Sequence, residues 1–423
     1  RLLTTRDKAF QQVVNDTSIF RMELNTVSQR KSGRLSVESK CPELLANYCD
    51  LLLRKTPVSK KLTGDQIDAK LNSVLLVLKY VDNKDVFMRF HKAHLSRRLI
   101  LDLSADQDKE EYMVNRLRDC GMPAEHVTKL SKMLTDVEVS KSLANDMRAD
   151  FQQSRPDIAD LVTVKVLSTG AWGRPGGASS EGRVHVSLPR ELDELIPPVE
   201  AFYDRKYSGR KLNWQHHWST ATMTFTPRSG GCFDLDVTTF QLVVLLCWNE
   251  RPAASLSYES LRTATELPNT ELSRTLFSLT SIPKQRSQIL LTDAPSPIDL
   301  RSFNDSTTFR LNHDFQLVKN SRVQERGRLN LIGRLQLTLE PTAKTEHDDI
   351  VALRQFRVQE AIMKILKTRR ECTLAQLQSE LVEMLKSMFI PSRNLIKEQI
   401  DWMLESNFIS RKPDNMEVFQ YVS

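Results

Sequence analysis

The stretch Thr63-Gly-Asp-Gln-Ile-Asp-Ala-Lys-Leu-Asn-Ser-Val-Leu-Leu-Val-Leu78 decides the first half of the fold. Ile67, Leu71, Val74, Leu75 and Leu78 recur at i, i+4, i+7, i+8 and i+11, the spacing of one buried stripe on an α-helix. Thr63, with Gln66 three residues on, predicts a capping box that starts it. Val86, Phe87, Phe90, His94 and Leu95 repeat the period, and Gly121-Met122-Pro123 breaks the next pair of helices. From Pro42 to about Met147 the pattern therefore predicts a bundle of about four helices. Ahead of it, Arg6 to Phe20 reads as helix and Asn25 to Lys40 as a polar loop.

After Pro156 the period changes. Val162, Val164 and Val166 alternate with polar residues and predict a strand, followed by a glycine-rich loop from Gly170 to Gly182. Val184 to Leu188, Lys211 to Phe225 and Cys232 to Val237 read as further strands of a small mixed sheet. Along the third, Leu212, Trp214, His216 and Trp218 would share one large apolar face. Two later segments, Thr238 to about Asn312 and Asp349 to Ser423, each show three short helices closed by two strands, the winged-helix order. A polar linker near Glu340 to Glu346 precedes the second. Its helices are expected over Ile350–Arg370, Leu374–Met388 and Ser392–Glu405, and its strands over Phe408–Arg411 and Val418–Val422. The fold class is α+β and mainly helical. Its parts are a terminal helix and loop over 1–40, a bundle over 41–155, an α/β domain over 156–340 and a winged helix over 349–423.

Composition narrows the function. The 423 residues are 40% hydrophobic and 27% charged, as in ordinary globular proteins. No run reaches the roughly 18 apolar residues of a membrane span; Phe240 to Trp248 is only as long as a buried helix. Opening on Arg1 inside an amphipathic segment, the sequence reads as a piece of a longer chain. A net charge of +7 suggests acidic partners weakly. The cysteines at 41, 49, 120, 232, 247 and 372 include no Cys-x-x-Cys pair, which points to a reducing compartment, cytoplasm or nucleus. His91 and His94, and His216 beside His217, lack further ligands at zinc spacing and read as packed or surface histidines. Phosphate loops, nucleophile elbows and His-Glu-x-x-His are absent, so the chain reads as having no chemistry and no metal or cofactor of its own.

Several segments resemble the cullin family, nearest to its fifth branch. They are Cys41-Pro-Glu-Leu-Leu-Ala-Asn-Tyr48, Lys84-Asp-Val-Phe-Met-Arg-Phe-His-Lys-Ala-His94 and Val237-Thr-Thr-Phe-Gln-Leu242. Ala264-Thr-Glu-Leu-Pro268, VQERGRLNLIGRLQ over 323–336 and Ile396-Lys-Glu-Gln-Ile-Asp-Trp402 follow in order. The resemblance spans nearly the whole chain and implies the RING-box-binding portion of a ubiquitin-ligase scaffold. A ubiquitin-like modifier, attached with its own ligase in neddylation, would be received in Ile365-Leu-Lys-Thr-Arg-Arg370, where the family pattern is Ile-Met-Lys-Met-Arg-Lys; this names Lys367. The helical wheel puts Val358, Ile362 and Ile365 inward and both Lys364 and Lys367 outward, so periodicity alone does not choose between them.

The resemblance also implies a RING-box protein, zinc-bearing itself, whose terminal strand completes a sheet in the region Val162 to Val237, with Val162, Val164, Val166, Trp214 and Trp218 as candidates. Arg54, Lys55, Lys60 and Lys61 would, by the same resemblance, attract the acidic tail of a ubiquitin-conjugating enzyme, although the residues by themselves fit a solvated charged connector better. Elongin and suppressor-of-cytokine-signalling-box adaptors would bind the portion that precedes this one. The alternative is a winged-helix DNA reader using Arg393, Lys397, Arg411 and Lys412; Glu398, Asp401 and Glu405 on the same helix argue against phosphate contact.

Overall fold

The computed structural model describes residues 2–24, 36–172, 185–281, 288–295, 298–299, 302–319, 322–332, 339–413 and 415–422. In chain order, helix α1 (Leu2–Val14) precedes strands β1 (Arg21–Leu24) and β2 (Ser36–Ser39). Helices α2 (Cys41–Leu53), α3 (Gly64–Leu78), α4 (Lys84–Ile100), α5 (Gln107–Asp119) and α6 (Ala124–Ser154) follow. Helix α7 (Ile196–Lys206) leads to β3 (Thr220–Phe225), β4 (Cys232–Thr238) and α8 (Thr239–Leu246). Next come β5 (Leu256–Ser257), α9 (Tyr258–Thr265), α10 (Asn269–Thr280), β6 (Leu290–Thr292) and β7 (Thr308–Leu311). Strands β8 (Leu317–Lys319), β9 (Arg322–Gln324) and β10 (Arg326–Asn330) precede the long α11 (Leu339–Arg369). The chain ends in β11 (Glu371–Thr373), α12 (Leu374–Leu385), α13 (Arg393–Glu405), β12 (Ile409–Lys412) and β13 (Asn415–Tyr421).

Two compact units emerge, one of residues 1–140, 165–173 and 340–423, the other of 141–164 and 174–339. In the first, the α3 stripe is buried as its spacing predicts, with Leu71 and Leu78 at 0% exposure. Burying each such leucine contributes on the order of 2 kcal/mol. Thr63 and Gln66 form the expected capping box, and Thr373 with Gln376 form another ahead of α12. Residues 165–172 lie against this bundle. The Lys165 ammonium donates to the carbonyls of Leu99 and Ile100 and to Asp102, while Asp136 accepts from the backbone and hydroxyl of Ser168 and from the Trp172 indole.

The C-terminal segment of this unit has its own core, built on Ile362, Ile365, Leu377, Leu381, Ile396 and Ile400. Its helices are closed by the sheet β11–β13–β12. Two sequence expectations change here. Glu340 to Glu346 is the first part of α11 rather than a linker; Pro341 is compatible because helix starts leave their first amides unpaired. A third strand, β11, pairs Cys372 with Phe419, because Arg370 at φ 69° ends α11 and turns the chain straight into an extended segment.

The second unit holds the sheet β10–β4–β3, with β4 antiparallel to β3 and parallel to β10, and the smaller sheet β5–β7–β6. Thr238 and Gln241 form a capping box that turns β4 directly into α8. Among the described residues two expected strands are absent and the expected strand over Lys211 to Phe225 is shortened to β3, Thr220–Phe225. Residues 162–168 form none: Ser140 and Asp136 side chains take the Val166 and Ser168 amides, leaving no continuous row for a ladder. Residues 211–219 form none either, because the Trp218 and Ser219 amides bond back to Gln215 and His216 in a turn. Residues 185–188 are irregular, with Ser187 bonded to the Thr265 carbonyl, and Val184 lies outside the described residues. Most of the glycine-rich loop and residues 25–35 of the polar loop also lie outside them.

Candidate functional site

Three sets of residues bear on function, and the C-terminal segment carries two of them. Lys367 stands in the last turn of α11, exposed, while its neighbours Ile365 and Leu366 are buried at 3% and 0%. Its ammonium lies 4.9 Å from the centre of the Tyr421 ring, on the final strand. Arg369, two residues on, pairs with Glu380 at 2.7 Å. Lys367 is thus an exposed residue at the end of the helix whose ammonium rests over an aromatic ring of the final strand. Lys364 is exposed as well, one turn earlier.

The second set was not visible as a site in the sequence. Arg354, only 7% exposed, sits on α11 in the same stripe as Val351 and Val358 and reaches into the bundle. Its guanidinium chelates Asp85 at 2.5 and 3.0 Å and donates to Glu38 at 2.6 Å. Asp85 is itself 3% exposed and its amide donates to the Met388 carbonyl. The Arg354 guanidinium also lies 5.1 Å from the Phe389 ring centre. Burial opposes the arginine's charge, and the Asp85 and Glu38 carboxylates more than offset it, so its pKa is raised. Ile350 and Val351 join the bundle core. Arg89 pairs with Asp349, and Arg357 donates to Glu125 at 2.5 Å. Lys129, then Arg357, hold the Glu125 carboxyl below the usual range. A charged residue inside an apolar helical stripe was the signal that could have singled out Arg354 in advance.

The third set is the sheet β10–β4–β3, whose outer strands each have a single strand neighbour among the described residues. On β3, Thr220, Thr222 and Thr224 are exposed, and Ala221, Met223 and Phe225 are half-buried. The strand-edge candidates named from sequence lie elsewhere. Val162, Val164 and Val166 belong to the irregular segment above. Trp214 donates to Glu200 at 2.8 Å and stacks on His216, and Trp218 packs beside His217.

The comparisons with known proteins follow this division. The cullin alpha solenoid domain model matches residues 1–144, the cullin alpha+beta domain model 166–315, and the cullin protein neddylation domain model 353–415. The chain is 59% identical, over its whole length, to Cullin-5 of Caenorhabditis elegans. This chain belongs to the cullin family. Cullin-1 of Dictyostelium discoideum is 30% identical over 99% of it. This cullin sequence spans about half the length of the curated relatives it matches, 55% of the first and 50% of the second.

The neddylation-domain match takes in Lys367 and begins one residue before Arg354. In this cullin the basic cluster is divided. Arg54 pairs with Asp50 at 3.5 Å and Lys55 donates to the Asp102 carbonyl at 3.1 Å, whereas Lys60 and Lys61 are exposed on a short 3-10 turn. Of the DNA-reading candidates, Lys412 pairs with Glu371 and Arg411 donates to the Met416 carbonyl, which leaves Arg393 and Lys397 exposed on α13. His91 is 1% exposed and stacks on Phe87; His94 is bonded to Asn47 and Arg97. Burial depresses both histidines, His94 to about 4.

Proposed function

We propose that this chain is the RING-box-binding part of a ubiquitin-ligase scaffold, switched by a ubiquitin-like modifier joined to Lys367 through an isopeptide bond. The observation that carries the reading is the exposed Lys367 in the last turn of α11, within the neddylation-domain match. The same helix carries Arg354 into the bundle, 13 residues or about 20 Å away at 1.5 Å per residue. A folded modifier on one end of so stiff a rod has to be accommodated, and the accommodation biases the docked segment against a released one.

A RING-box protein would add a strand at the edge of β3 or β10, each of which has one strand neighbour among the described residues, with main-chain hydrogen bonds supplying affinity. It would bring its own zinc and recruit a ubiquitin-conjugating enzyme. The scaffold contributes rate by holding that enzyme near an adaptor-bound substrate, through proximity rather than acid–base groups. Lys60 and Lys61 are the members of the basic cluster free to steer an acidic tail.

The test is Lys367→Arg, co-expressed with a RING-box subunit and supplied with the modifier and its enzymes. The expected result is an intact complex, no modified band and loss of most modifier-stimulated ubiquitin transfer. A modified band that persists and disappears only on Lys364→Arg would move the acceptor one turn back. Stimulated transfer unchanged in both variants would refute the switch.

A further inference from the structure

Helix α13 occupies the place from which a winged helix ordinarily reads DNA, yet its outer face is built for something else. At 100° per residue, Glu398, Asp401, Trp402 and Glu405 fall within one arc of about 100°, opposite the buried Ile396, Ile400 and Met403. Trp402 is 45% exposed and stacks on Phe408, itself 46% exposed, with ring centres 5.7 Å apart and planes at 28°. Val422, 40% exposed, donates its amide to the Phe408 carbonyl and extends the patch. Among the described residues, Glu398, Asp401 and Glu405 form no ion pair, in a chain whose net charge is +7. On the hairpin, Arg411 and Lys412 are taken up by Met416 and Glu371, while Lys397 and Arg393 stand exposed on the helix flank beside Asp401, outside the arc of the three carboxylates.

We propose that this face is a docking site for a basic amphipathic segment of a separate protein, with an apolar side chain seated on Trp402 and Phe408 and lysines or arginines over the three carboxylates. Stacked aromatics in the open carry little fold stability and much contact area, the usual make-up of an interface anchor. The acidic rim selects the sign of the partner, and it repels a phosphate backbone. Tyr421 joins this hairpin to the Lys367 surface: it pairs with Ile409, next to Phe408, and its ring lies under the Lys367 ammonium. A bound segment would thus lie one strand from that lysine. The proposal stands whether or not Lys367 is an acceptor.

The experiment uses the full chain and three labelled peptides of about 14 residues, four helical turns: lysine with leucine on one face, glutamate with leucine, and lysine with serine. Fluorescence anisotropy should give micromolar binding for the lysine–leucine peptide alone. Trp402→Ser and the pair Asp401→Lys with Glu405→Lys should each weaken it by about tenfold or more, and the charge-reversed protein should gain affinity for the glutamate–leucine peptide. Phe356→Ser, an exposed aromatic on α11, should change nothing. Equal binding of the lysine–leucine and lysine–serine peptides, or variants that bind as the parent does, would overturn the proposal. So would a self-association lost in Trp402→Ser, which would make a second copy the occupant, or duplex DNA competing for the site.

Discussion

Replacing Arg354 by methionine keeps the length of its stem and removes its charge. Asp85, 3% exposed, and Glu38 then lose the cation that holds them. Removing one partner of a buried ion pair costs about 3–5 kcal/mol, because the other charge stays desolvated. Here the protein has a way to relieve it: if α11 leaves the bundle, Asp85 regains water. A change of about 3 kcal/mol alters the ratio of docked to released forms by more than 100-fold, at about 1.4 kcal/mol per tenfold. The Arg89–Asp349 pair makes the control, since both side chains are about a quarter to a third exposed and such pairs contribute about 1 kcal/mol or less. Hydrogen exchange reads the outcome. In Arg354→Met, amides of residues 349–366 and 84–95 should lose protection while those of Leu71 to Leu78 keep it; Arg89→Met should leave all three segments nearly unchanged. Protection at 349–366 equal to the parent's would refute the reasoning, and loss spread evenly into α3 would mean unfolding rather than undocking.

Gly231 at φ 97° faces the Glu325 carbonyl, which would lie 2.7 Å from an added Cβ; Gly231→Ala should cost about 1–3 kcal/mol, visible as a lowered denaturation midpoint. Burial, helped by Lys92 and Lys129, pushes His126 down to about 4. The unfolded chain therefore binds the extra proton first, and His126 contributes a loss of stability of up to about 3 kcal/mol as pH drops from about 6.5 toward 4, in the same direction as His91 and His94; His126→Asn should make the fall between pH 7 and pH 5 smaller, though not remove it, in denaturant titrations. Lys60→Glu with Lys61→Glu should slow association of a ubiquitin-conjugating enzyme with an acidic tail by about tenfold at low salt, with little effect in 0.5 M salt where the Debye length is about 4 Å.

What the sequence determined by itself was local. A 3.6-residue period and a Thr-x-x-Gln cap specify a helix from neighbours a few residues apart, so α3 and its start at Thr63 were legible, and so was the solvent-facing side of Lys367. Alternation misled where the backbone amides found other acceptors. Val162 to Val166 and Leu212 to Trp218 have a strand's pattern, but side chains of Ser140 and Asp136 in one case, and a turn through Gln215 and His216 in the other, take up the hydrogen bonds a ladder needs. Arg354 drew no reading from the sequence, and it was the fold that brought Asp85, 269 positions away, within 2.5 Å of it. Only tertiary structure could decide that, because a buried charge is tolerated where an opposite charge meets it, and nothing within one helix says what lies across the interface.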